Sequence, residues 1–136
     1  ANGGYFLTKV LYEKQNKDKR FVIVDGAMND LIRPTLYEAF HGVEVVGKSG
    51  NESKADIVGP ICESGDFFAK DEELPPTEHG DLLVIKSAGS YGFSMSSNYN
   101  TRGRAAEIAV DEDGVRVIRK RESFDDLIAL EKDFLK

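Results

Sequence analysis

The chain has 136 residues, of which 40% are hydrophobic and 31% charged, and a formal net charge of −6. That composition fits one globular domain with a core of its own and excludes a disordered chain. Phosphate binding draws on clustered cations, so the acidic balance argues against a nucleic-acid partner. No apolar run approaches the roughly 20 residues that cross a bilayer, which argues against a membrane partner.

The opening Ala1-Asn2-Gly3-Gly4 carries neither an initiator Met nor the basic and apolar regions of a signal peptide. A processed chain or a piece of a longer one is therefore expected. Tyr5 to Tyr12 follows a Gly pair and is rich in aromatic and β-branched residues, which predicts a strand. Phe21 to Val24 is a short apolar run ended by Asp25-Gly26. Met28 to Ile32 is expected to form one helical turn, with Pro34 stopping anything longer. Val43 to Val46 and Ala55 to Val58 are further short strands, each closed by Gly. Leu82 to Ile85 follows the breaker-rich stretch from Pro75-Pro76 to Gly80. Ala105 to Val110 and Val115 to Ile118 flank Asp111-Glu112-Asp113-Gly114, a hairpin turn signal. The basic run Arg116 to Arg121 is diluted by Val117 and Ile118 and reads as the exposed face of that last strand. Ser123 to Leu130 is the best helix, since Ser123 can cap and Phe124, Leu127 and Ile128 share a face. Strands this short and regularly punctuated predict a mainly β fold, an antiparallel barrel or sandwich with one or two short helices, over residues 1–136 as one domain.

Two Gly- and Ser-rich segments carry reactive side chains, and such loops are where function usually sits. In Gly59-Pro60-Ile61-Cys62-Glu63-Ser64-Gly65-Asp66, Cys62 is the only cysteine of the chain. A disulfide within the chain and a zinc site built on several thiolates are thereby excluded, and a lone thiol suits a reducing compartment. Cysteine can act as nucleophile or proton donor. A neighbouring carboxylate raises its pKa and favours the donor role. A small cysteine buried in a turn is the plain alternative. A cysteine hydrolase would need a His base, and His41 and His79 are the two histidines present. In the second segment, Ser87 to Asn100, the stretch Ser87 to Gly92 holds two glycines, two serines and Tyr91 and can offer backbone N–H and hydroxyl groups to an anion such as a phosphate. Arg33 and Tyr37 stand four apart, so on a helical turn they share a face and can grip a carboxylate together. A surface Arg and a core Tyr is the alternative. Arg102 and Arg104 fall on one side of an extended segment, where such pairs are solvated or answer a carboxylate.

Three stretches carry a family resemblance. They are Asp25-Gly26-Ala27-Met28-Asn29-Asp30-Leu31-Ile32-Arg33-Pro34 with Leu36-Tyr37, Val58 to Asp66, and Ala88 to Asn100 with Arg102 and Glu107 after it. Together they resemble the diaminopimelate decarboxylases, enzymes of fold type III that use pyridoxal 5'-phosphate (PLP). The resemblance runs from about Gly4 to Leu130. Cys-Glu-Ser-Gly-Asp is its most specific string, because the ornithine and arginine decarboxylases carry Asp after the Cys. The chain departs from the family pattern at Ser87, where Asp is usual, at Ser90, where Ala is usual, and at Gly103, where Pro is usual.

The resemblance implies that this chain is the C-terminal β domain of a cytoplasmic homodimeric enzyme that makes L-lysine from meso-diaminopimelate. An N-terminal (β/α)8 barrel, absent from this chain, would carry the Schiff-base lysine and most PLP contacts. Cys62, Glu63 and Ser64 would reach into the partner subunit's barrel. Cys62 would supply the proton that replaces the departing CO2, and Glu63 would bind the ammonium at the substrate's unreactive end. Arg33 and Tyr37 would hold the carboxylate at that end, and Tyr91 would contact the PLP phosphate and border the substrate. Two other expectations compete: a decarboxylase for another diamino acid or a carboxylated polyamine, and a non-enzymatic β-barrel interaction module.

Overall fold

The computed structural model of the protein describes residues 3–135; Ala1, Asn2 and Lys136 lie outside them, and with them half of the opening Ala1-Asn2-Gly3-Gly4. The chain forms two compact units that divide between Ser96 and Ser97. The first holds strands β1 (Phe6–Asn16), β2 (Lys19–Val24), β3 (Val43–Val45), β4 (Ser53–Val58), β5 (Phe67–Leu74) and β6 (Leu82–Ile85), with helix α1 (Arg33–Tyr37) between β2 and β3. The second holds β7 (Glu107–Asp111), β8 (Gly114–Arg119) and helix α2 (Phe124–Leu127).

In the first unit the six strands make one sheet in the order β3-β6-β1-β2-β4-β5. Strand β1 is long enough to serve both halves. Its first part, Phe6 to Lys9, pairs with β6, and Val10 to Asn16 pairs with β2 with a register shift between Val10 and Tyr12. Such a bulge bends a strand and raises its twist, and the sheet curls until the edge strands β3 and β5 approach each other. The result is a nearly closed barrel. Alternate residues point inward, and Val10, Val22, Val24, Ile57, Phe68, Leu83 and Ile85 form the centre of the core. The rings of Phe6 and Phe68 meet at 5.6 Å between centroids.

The expectation of a mainly β barrel-like fold with two short helices holds, with three differences in detail. The pairing is not wholly antiparallel, because β2 and β4 run parallel, Ile23 beside Val58. A parallel pair needs a crossover, and residues 25–52, with α1 and β3, supply it. Pro34 does not stop a helix after Met28 to Ile32. Those residues turn, with Asp30 N–H donating to Ala27 O at 2.9 Å, and α1 begins at Arg33 with Pro34 in its first turn. The first turn has no intrahelical acceptor for its N–H groups, so proline loses nothing there. Finally, β5 is a strand that the composition of Phe67 to Leu74 hides. Only Phe68 and Leu74 are buried, while Lys70, Asp71 and Glu73 face solvent on an edge strand.

In the second unit β7 and β8 make a hairpin closed through Asp111 and Gly114 at the expected turn. Arg116 pairs with Asp111 at 2.7 Å and Arg119 with Glu107 at 2.6 Å, so the basic run is the exposed strand that its pattern predicts. Ser123 and Asp126 form a reciprocal capping box at the start of α2. Arg104 answers a carboxylate: its guanidinium donates to Glu122 Oε1 at 3.0 Å and its backbone N–H to Oε2 at 2.8 Å. Among the described residues no helix is long and apolar enough to cross a membrane.

Candidate active-site loops

Strand direction decides which loops meet. Strands β2 and β6 both run antiparallel to β1, and β4 runs parallel to β2. All three therefore end at the same rim of the barrel. The segments that leave them there, beginning at Asp25, Gly59 and Lys86, are the three that carry the sequence signals.

The first segment is fixed by hydrogen bonds to β1 and within itself. Asp25 Oδ1 accepts from the Thr8 hydroxyl at 2.7 Å and from the Lys9 N–H at 2.8 Å. Burial pushes the Asp25 carboxyl up, but the Lys9 N–H and the Thr8 hydroxyl more than offset this and hold it below the usual carboxylate range. Thr8 Oγ1 in turn accepts from Gly26 N–H at 2.8 Å, and Asp30 Oδ2 accepts from Ala27 N–H at 3.0 Å. Helix α1 follows with Arg33 and Tyr37 at its two ends, four apart, so the turn places both on one face. Arg33 is half-buried, while Tyr37 is exposed.

The second segment is a tight loop. Glu63 N–H donates to Ile61 O at 2.8 Å, Asp66 N–H to Glu63 O at 3.0 Å, and Gly59 N–H closes it on Asp66 O at 3.0 Å. At its tip Cys62, Glu63 and Ser64 are exposed, and Cys62 is a free thiol. The expectation of a cysteine buried in a turn is thus not met. Glu63 Oε1 accepts from the Ser64 hydroxyl at 3.2 Å and from Gly65 N–H at 3.1 Å. The loop is tied to the first segment. Asp66 Oδ1 accepts from Met28 N–H at 2.7 Å, and the Thr35 hydroxyl donates to Gly65 O. A Cβ on Gly65 would lie 2.8 Å from Thr35 Cγ2, so only glycine lets the loop backbone come this close to α1.

The third segment presents Tyr91, which is exposed. The Arg33 guanidinium stands 5.2 Å from the centroid of its ring, a cation–π contact. Ser87, at the start of this segment, adopts a left-handed φ of 59°. Asp populates that region more readily than Ser, which gives the departure from Asp a backbone consequence.

The structure thus brings Arg33 together with Tyr91, and brings the Cys62-Glu63-Ser64 loop onto the segment that bears Arg33. Tyr37 shares the helix of Arg33. Sequence reasoning missed Asp66 and Thr35 as the residues that tie the loops, although Asp66 lies inside the most specific string. The signal available was an acidic residue directly before an apolar strand, where a carboxylate can accept backbone N–H groups.

Fold and loops define a curled sheet domain of enzyme type, with charged and acid–base side chains gathered at one rim. The chain belongs to the family of pyridoxal-dependent decarboxylases, C-terminal sheet domain, whose pattern matches residues 2–89. It is 62% identical over 136 residues to the diaminopimelate decarboxylase of Campylobacter jejuni, covering all of this chain and 34% of that protein. A crystal structure of diaminopimelate decarboxylase from Helicobacter pylori complexed with L-lysine superposes with a TM-score of 0.89 at 50% identity, covering 96% of this chain and 32% of that one. The enzyme from M. jannaschii in co-complex with L-lysine gives 0.90 at 41% identity, covering 97% and 30%. The chain therefore spans about a third of the length of the relatives it matches.

Proposed function

We propose that this chain is the C-terminal sheet domain of a cytoplasmic decarboxylase that converts meso-diaminopimelate to L-lysine. Its loop rim would complete an active site shared with an N-terminal barrel across a homodimer. The observation that carries this reading is the gathering at one rim of Arg33 on α1, Tyr91 against it, and the Cys62-Glu63-Ser64 loop tied to the same segment. Meso-diaminopimelate has an amino acid group at each end, so recognising its unreactive end calls for an anion and a cation side by side. Glu63 binds the ammonium, while Arg33 and Tyr37 bind the carboxylate. Ser64 lines the same pocket. A substrate lacking that carboxylate would leave Arg33 unpaired, and mismatches of this kind give large discrimination. The L-lysine held by the H. pylori and M. jannaschii enzymes is the product this reading requires. Exposure of Cys62, Glu63 and Ser64 in the isolated chain also fits a loop whose other wall belongs to another subunit.

The residues at this rim suit the periphery of PLP. A phenol donor with a guanidinium on its ring favours an anion, so Tyr91 would hold the phosphate and also border the substrate. PLP, when bound, supplies the electron sink for loss of CO2. Cys62 delivers the proton to the carbon that has lost its carboxylate, a role that needs a thiol at the surface of the loop rather than in the core.

The test is steady-state decarboxylation by the full-length enzyme with meso-diaminopimelate, L-ornithine and a carboxylated polyamine. Meso-diaminopimelate should be strongly preferred. Glu63→Gln and Arg33→Met should each lower its kcat/KM by at least about a hundredfold, since losing one partner of a desolvated charged contact costs about 3–5 kcal/mol. Preference for either other substrate, or an Arg33→Met enzyme with unchanged discrimination, would overturn the substrate assignment. Absence of any decarboxylation would leave the interaction-module reading standing.

A further inference from the structure

His41 lies on the crossover after α1 and is 2% exposed. Its Nδ1 stands 2.8 Å from Lys86 O. A carbonyl oxygen only accepts, so Nδ1 carries a proton and donates it. Nε2 is buried and has no hydrogen-bond partner among the described residues. Burying an imidazole with an unpaired nitrogen costs free energy that an apolar side chain of similar size does not. Packing alone therefore gives no reason for a histidine here. The bond to Lys86 does, because no apolar side chain can supply it.

Lys86 begins the segment that presents Tyr91. Its N–H donates to Gly42 O at 2.9 Å, so the crossover grips both backbone groups of this residue. Ser87 follows in its left-handed conformation, and then Ala88, whose N–H donates to Gly4 O at 3.0 Å. Gly92 N–H donates to Ala88 O at 2.9 Å and closes the turn that carries Ser90 and Tyr91. Within this turn Gly89 lies directly against the start of the chain, where a Cβ on it would stand 1.9 Å from Gly3 O. The crossover meets the turn a second time through Arg33, whose guanidinium lies over the Tyr91 ring.

We infer that His41 is a positioning residue for retention of the PLP phosphate. By fixing Lys86 it sets the direction in which the chain leaves β6, and with it the place of the Tyr91 hydroxyl. The inference rests on the proposed function for the role of Tyr91. All the contacts it uses lie within one chain and one compact unit.

The experiment titrates PLP into the full-length apoenzyme and reads Kd from the cofactor absorbance, with Tm of each apoenzyme measured beside it. His41→Leu roughly keeps the volume and removes the donor. Its Kd should rise about threefold to tenfold, the worth of a neutral hydrogen bond. His41→Asn places an amide N–H where Nδ1 stands, so its Kd should stay within about twofold of native. A histidine that merely filled the core would give the opposite order, with leucine tolerated and the smaller, polar asparagine harmful to Tm and Kd together. In a Tyr91→Phe background, His41→Leu should add less than about twofold, since the hydroxyl being positioned is gone. If His41→Leu fails to fold, His41→Gln takes its place with the same expected result, because its amide nitrogen lies one carbon farther out and misses Lys86 O. A Kd within about twofold of native for that variant, a loss at His41→Asn equal to it, or a loss that persists beside Tyr91→Phe would overturn this inference and leave the proposed function intact. Native PLP affinity in Tyr91→Phe alone would instead remove Tyr91 from the phosphate, and this inference with it.

Discussion

Replacing Arg20 by Leu should destabilise the barrel unit at the rim opposite the active-site loops. Arg20 is buried, and its guanidinium reaches three places at once. Nη1 donates to Leu74 O at 2.9 Å and to Ser53 O at 3.3 Å; Nη2 donates to Pro75 O at 2.7 Å; both Nε and Nη2 engage Glu13. Strand β2 is thereby stitched to the start of β4 and the end of β5. Leucine fills the space of the stem but leaves the Leu74 and Pro75 carbonyls without this donor and Glu13 without its cation. Breaking a buried charged contact from one side costs about 3–5 kcal/mol. For a chain of this size each kcal/mol moves Tm by roughly 3 °C, so Tm should fall by about 10–15 °C. The measurement is thermal unfolding followed by circular dichroism.

A pH arm checks the cause. Burial pushes the Glu13 carboxyl up, but Arg20 and the Thr77 hydroxyl and N–H more than offset this and hold it below its ordinary value of 4.5. A carboxyl depressed in the folded state adds stability above its unfolded value and loses it as pH falls through the folded one. Native stability should therefore fall below about pH 4.5, and Arg20→Leu should flatten that slope. A Tm drop under about 3 °C with an unchanged acid slope would show that the contact is worth no more than an exposed ion pair. Because Arg20 sits at the rim away from Cys62, kcat of the folded variant should stay near native.

Two further outcomes concern the full-length enzyme. Cys62→Ala should lower kcat roughly 10²–10⁴-fold with little change in KM, since a proton donor acts in the transition state; native kcat across neutral pH would reduce Cys62 to a structural residue. Tyr91→Phe keeps the ring under Arg33 and removes only the hydroxyl, so PLP titration should show weaker retention while the preference among substrates persists; unchanged PLP affinity would remove Tyr91 from the phosphate.

The sequence by itself determined most of the local structure. Short apolar or aromatic and β-branched runs bounded by Gly and Pro mark β1, β2, β3, β4 and β6, Asp111 to Gly114 marks the hairpin, and Ser123 with Asp126 marks the cap of α2, because each signal lies within a short window of sequence. It also singled out Arg33, Cys62, Glu63 and Tyr91 through motif strings. Tertiary structure decided the rest. Strand β5 stays hidden in Phe67 to Leu74 because an edge strand needs only two inward residues and its charges face water. Pro34 could end one helix or begin another, and only the turn at Met28 to Asp30 selects the second. The parallel pairing of β2 with β4, which brings three distant loops to one rim, depends on which strands lie side by side, and no window of sequence contains that. The same holds for Asp66. Its side chain has a meaning only once Met28 and Ile61 stand on either side of it, since a hydrogen bond between segments exists only after the barrel has curled.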